Sequence, residues 1–203
     1  IDLSSRSYIN AYYQRNDEAI FTNAKQLLLD GAGYPFGSHG QIVEYGARLG
    51  RLDEALAILE ERYPQVFSEP PPNILRPSEV GIYYPSALAL LLSGDTGRGE
   101  PLMRACLDAE DKYYAAYKLV RLRAIEGRLA LGERDAALEQ FRRFAELKWI
   151  WNGGQITTRR KFQHSSLYEP IRNEPEFIAL LDLYEQNAAE QRRLVEKADF
   201  QIP

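Results

Sequence analysis

The sequence predicts an all-α chain of stacked helical hairpins, and three observations carry the prediction. First, one segment is written twice: GRLDEALAIL at 50–59 returns as GERDAALEQF at 132–141, superimposing Asp53, Ala55 and Leu56 on Asp135, Ala137 and Leu138. Second, two further stretches fit the same frame. YYQRNDEAIFTNAKQLLL at 12–29 sets Asp17, Glu18, Ala19 and Ile20 in register, and LALLLSGDTGRGEPLMRACL at 88–107 sets Gly97 and Gly99 there. The small residues Ala19, Ala55, Gly99 and Ala137 therefore stand 36, 44 and 38 residues apart, a period at which paired helices repeat. Third, each unit reads as an apolar helical run, a short turn usually carrying Gly, and a second amphipathic run such as Leu52, Leu56, Leu59 and Tyr63 or Leu138, Phe141, Phe144 and Ala145.

The elements follow in order as a single domain over 1–203, with repeats at about 4–36, 38–64, 78–110 and 112–148. A small residue just after each turn lets two antiparallel helices approach. SHGQ at 38–41 predicts a capping box, with Ser38 bonding a free N–H and Gln41 reaching back; Asn173 to Glu176 repeats it with Pro175 in the first turn. Pro101 is expected in a first turn, whereas Pro85 must start or kink its helix. Residues 63–81 are proline-rich and predict an extended surface connection, and 149–166 a long irregular one. The last helix, 174–197, begins apolar at Phe177, Ile178, Leu180, Leu181 and Tyr184, then turns charged; its front half should cap the stack.

Composition excludes several classes of function. With a net charge of −4 and a pI near 5.4, the chain has no overall basic field, so nucleic acid is not an expected direct ligand. One cysteine, Cys106, forbids an internal disulfide, and its place on an apolar stripe reads as core packing. No apolar run is long enough for a membrane span, and the stretch IDLSSRSYIN at 1–10 has neither the basic nor the apolar segment of a signal peptide. Since the chain starts at Ile1 and its one methionine is Met103, a fragment or mature part of a longer product is expected. The expected compartment is the cytoplasm, or the periplasm if an upstream segment spans the membrane.

Catalytic constellations are hard to find. His39 and His164 have no Cys, Asp or second His at ligand spacing and read as solvated loop histidines, so neither a zinc site nor any other cofactor is expected. Cys106 has no neighbouring base. GAGYPFGSHG at 31–40 lacks the Lys-Ser/Thr ending and preceding strand of a phosphate cradle and reads as a flexible connection; the acidic run 108–111 reads as a solvated helix face.

A small residue near the turn, the G-x-x-D-E-A-L pattern across it and a period above thirty together resemble the tetratricopeptide repeat, over about residues 4–147. The chain departs from that pattern in having no early Trp in a first helix and no Pro closing each unit. The usual Gly or Ala within the first helix is kept as Ala87, displaced to Gly127, and replaced by Ser7 and Val43. Residues 165–184 resemble the closing segment of such regions in bacterial regulators, where the repeats are joined to winged-helix, nucleotide cyclase or kinase domains. The resemblance implies a right-handed superhelix of antiparallel hairpins (a TPR-like α-solenoid) with a C-terminal capping helix, and a concave groove lined by the first helices. By it the groove receives Ser4, Tyr8, Ala11 and Tyr12; Gly40, Glu44, Ala47 and Arg48; Tyr84, Leu88, Leu91 and Leu92; and Leu122, Glu126, Leu129 and Ala130.

Many of the thirteen tyrosines fall on first helices or their starts: Tyr8, Tyr12, Tyr13, Tyr45, Tyr83, Tyr84, Tyr113, Tyr114 and Tyr117. Stiff rings with a polar tip suit peptide recognition and equally suit the seams between helices. A second candidate surface is the basic and aromatic stretch of Trp151, Arg159, Arg160, Lys161, Phe162 and His164. The expected function is a non-catalytic module that binds a protein or peptide within a larger bacterial regulator. The alternative is a small-ligand sensor whose apolar half encloses a metabolite, and the final helix or 149–166 could instead fill that half. Self-association to a homodimer through an uncovered end of the stack is left open.

Overall fold

A computed structural model describes residues 16–31, 38–68, 70, 77–115, 122–146, 162–163 and 165–197. Among them are eight α-helices, two short 3-10 turns and no strand. The helices are α1 (Asp17–Leu29), α2 (Ser38–Arg48), α3 (Leu52–Arg62), α4 (Pro77–Leu92), α5 (Thr96–Ala115), α6 (Leu122–Ala130), α7 (Arg134–Glu146) and α8 (Pro175–Lys197). Contacts divide the chain into two compact units, Ile1–Tyr113 and Tyr114–Pro203. No described helix is long and apolar enough to cross a membrane.

The internal repeat is realised as one turn built three times. Gly50, Gly94 and Gly132 join α2 to α3, α4 to α5 and α6 to α7, each in the left-handed region at φ 68°, 89° and 74°. Around Gly50 the N–H groups of Leu49, Gly50 and Arg51 donate to the carbonyls of Tyr45, Ala47 and Gly46. Ser93, Gly94 and Asp95 donate to Ala89, Leu91 and Leu90, and Leu131, Gly132 and Glu133 to Gly127, Leu129 and Arg128, in the same register. The crossed pair of bonds satisfies carbonyls that a helix end leaves open, and it requires a residue without a Cβ penalty at positive φ. Five residues beyond each glycine stand Ala55, Gly99 and Ala137, all buried. A Cβ on Gly99 would come within 2.9 Å of Leu91 on the facing helix, which is why this place is kept small.

In the N-terminal unit α2 packs against α1, α3 and α4, and α3 against α1 and α4. Asn16 caps α1 through its side chain, which accepts from the Ala19 N–H at 3.0 Å. Several sequence expectations fail in this unit. Ser38 is the first residue of α2 rather than the one before it, so its buried Oγ caps nothing and has no hydrogen-bond partner among the described residues. The connection after α3 is not extended throughout: Pro64–Phe67 form a 3-10 turn that buries Val66, and helix resumes at Pro77 rather than after Gly81. Proline is favourable as a first helical residue, and Pro77 takes that place. Pro85 consequently lies inside α4, where its missing N–H frees the Gly81 carbonyl; Ser86 supports this turn by donating its hydroxyl to the Ile82 carbonyl at 3.1 Å. Pro101 likewise lies in the second turn of α5, not the first.

The C-terminal unit is organised around rings. Phe141 on α7 meets Phe162 and Phe177 at centroid distances of 5.1 and 5.0 Å, Phe162 meets Tyr168 edge-on at 5.0 Å, and Phe144 stacks on Tyr184 at 5.4 Å. Offset and edge-on contacts of this kind add to the burial of the rings themselves. α8 runs in the same direction as α7: Arg134 pairs with Glu174 at both beginnings, and Asn187 Nδ2 donates to the Ala145 carbonyl at 2.8 Å near the end of α7. Pro175 is its first residue, so the cap position falls on Glu174, one place later than the box read from Asn173. Phe177, Leu180 and Tyr184 are buried, whereas Ile178 is exposed.

Candidate recognition face

The repeated turn fixes the register of α2, α4 and α6, and so makes their side chains comparable position by position. Six residues before the turn glycine stand Glu44, Leu88 and Glu126; ten before it stand Gly40, Tyr84 and Leu122. On α2 none of the four groove positions Gly40, Glu44, Ala47 and Arg48 is buried. On α4 two are buried, Tyr84 and Leu88, with Leu91 and Leu92 half-buried. On α6 two are again buried, Glu126 and Leu129, with Leu122 and Ala130 half-buried.

The polar face of α2 is held in one arrangement. Arg48 Nη2 donates to Glu44 Oε1 at 2.8 Å, one helical turn away, and its Nη1 lies 3.7 Å from Asp17 Oδ2 on α1. The guanidinium sits over the Tyr45 ring, 5.0 Å from its centroid, which fixes the plane of the fork. The ring of Tyr45 is itself buried, so its part here is to support Arg48 from below. The side chains of Glu44 and Arg48 remain 20% and 15% exposed. A carboxylate and a guanidinium are thus set side by side on α2, with Nη1 and Nη2 facing carboxylates and Nε buried.

A second network braces this unit beside α2. Arg51, at the cap position of α3, pairs with Glu18 of α1 and with Glu54 at 2.7 Å, while its guanidinium lies 4.2 Å from the Phe21 ring centroid. Lys25 reaches the same Glu54 at 2.7 Å. Hydrogen bonds from Arg51 and Lys25 hold the Glu54 carboxyl down to about 2. At the opposite end of the α2–α3 hairpin His39 is not the solvated loop residue the sequence suggested. It lies in the first turn of α2, buried, with Nε2 2.6 Å from the Tyr63 hydroxyl, and burial pushes its pKa below the usual histidine value.

On α6 the equivalent glutamate is used internally. The Tyr168 hydroxyl donates to Glu126 Oε1 at 3.2 Å, and Tyr168 belongs to the 3-10 turn Ser166–Tyr168, which packs on α6. Arg172 ties this segment together by donating to the carbonyls of Phe162 and Ser165 at 3.2 and 2.6 Å. Leu122 packs against the aromatic core beneath.

Of the other sequence candidates, Tyr8, Tyr12, Trp151, Arg159, Arg160, Lys161 and His164 lie outside the described residues. Sequence reading missed one feature of shape, an open cleft of about 270 Å³ in the N-terminal unit. Val66 and Phe67 from the 3-10 turn, Leu90 from α4, and Pro101 and Leu102 from α5 line it, with Arg98 at its edge. The signal was present in the apolar PQVF after α3, but it lay within a stretch read as an extended surface connection. Arg98 is engaged by Asp95 at 2.7 Å and Glu60 at 3.2 Å, so the cleft offers mainly apolar surface.

Compared with known proteins, the chain matches no family model, no curated protein and no solved structure. Its described residues form an all-helical array in which one interhelical turn occurs three times.

Proposed function

We propose that the chain is a non-catalytic binding module of the tetratricopeptide type, an α-solenoid of helical hairpins that takes a peptide or protein segment on the first-helix face of α2. The carrying observation is the equivalence of the three turns: it sets α2, α4 and α6 in one register, and α2 alone of the three has no buried residue at its four groove positions. The Glu44–Arg48 pair is the recognition element, an acceptor and a donor fixed over Tyr45 and able to read a peptide backbone or a polar side chain. In this reading α8 closes the stack, and its outer row carries exposed Asp182, Gln186 and Glu190 between the exposed apolar residues Ile178 and Leu194. A place within a larger bacterial regulator rests on the resemblance of residues 165–184 alone.

A displayed random-peptide library selected on the intact chain tests this reading, with counter-selection on Glu44→Ala and Arg48→Ala chains of unchanged helicity. Enriched peptides that lose binding to both variants support the α2 face; peptides held equally by all three chains place recognition elsewhere, and failure to enrich any peptide counts against a peptide-binding role. The cleft beside Phe67 favours a second reading, a small apolar ligand held between the 3-10 turn and α5. Fragment screening by NMR with Phe67→Ala as control decides between the two.

A further inference from the structure

We draw no further inference here: the strongest candidate, the apolar cleft between the Pro64–Phe67 turn and helices α4 and α5, carries no charge complementarity because Asp95 and Glu60 already engage Arg98, and nothing in the structure shows what covers it.

Discussion

Glu44 and Glu126 hold the same place in two repeats, six residues before a left-handed glycine, yet their surroundings are opposite. Glu44 is partly exposed and paired with Arg48 along its own helix. Glu126 is buried beneath a segment that brings it the Tyr168 hydroxyl. Backbone register alone therefore does not define a recognition face in a helical repeat. On α6 it is the later segment Ser166–Tyr168 that covers the position and makes it core.

The largest expected effect belongs to the covered side. Phe141→Ala removes a fully buried ring in contact with Phe162 and Phe177, and should destabilise the C-terminal unit by about 3–5 kcal/mol. Amide hydrogen exchange should show the loss in α6 to α8 while protection in α1 to α3 persists. Equal loss in both units would mean that they unfold as one, and the comparison would have to be made over the whole chain.

Next in size is the paired test of the two glutamates. Tyr168→Phe deletes the hydroxyl bonded to Glu126 and should cost about 1–3 kcal/mol, since a buried carboxylate loses a donor. Glu44→Gln, on a partly exposed intrahelical pair, should cost less than about 1 kcal/mol. Urea denaturation of both variants measures the ratio; costs of equal size would erase the distinction between an available and a covered face.

The equivalence of the turns is tested by Gly50→Ala, Gly94→Ala and Gly132→Ala. Beyond the glycine and its chain neighbours no atom lies within 4 Å of a Cβ at any of the three, so backbone strain alone is added, about 1–2 kcal/mol each. Three similar losses in urea midpoint support one turn used three times, and a site without loss would break the set.

The smallest effects are those of pH, and both arise in the N-terminal unit. Because burial lowers the folded pKa of His39 below the ordinary histidine value of 6.5, the unfolded chain binds more protons, and stability falls as pH drops below 6.5. Glu54, depressed from 4.5 to about 2, contributes stability that is complete above 4.5 and is lost as pH falls towards 2. Urea titrations on either side of 6.5 should show the upper limb in the wild type and not in His39→Gln. An unchanged limb in that variant would assign it to another group.

Much of this architecture was legible in the sequence because its causes are local. A turn usually carrying glycine, a small residue just after it and apolar residues at helical spacing located the turns between α2 and α3, α4 and α5, and α6 and α7, while α4 begins inside the stretch read as a connection and α5 runs on to Ala115. The helix starts were less legible, since a capping motif competes with whatever precedes it: Ser38 entered the helix, and Pro77 rather than Pro85 began α4. Least legible were contacts between distant segments. Nothing local to His39 announces Tyr63, and nothing local to Glu126 announces Tyr168, because each pair meets only when hairpins close or a later segment returns. Of the candidate face, the register of Glu44 and Arg48 was readable; that the apolar half could be filled by a later segment and that a ring such as Tyr84 could seal a helix seam stood in the sequence only as alternatives.

The most direct measurement is amide and side-chain chemical-shift mapping of the chain titrated with a library-selected peptide. Recognition on α2 predicts shifts centred on Gly40, Glu44, Ala47 and Arg48, with Leu122, Glu126 and Leu129 unmoved because their face is already covered. Shifts centred on α6, or a bound peptide that leaves α2 unperturbed, would contradict it.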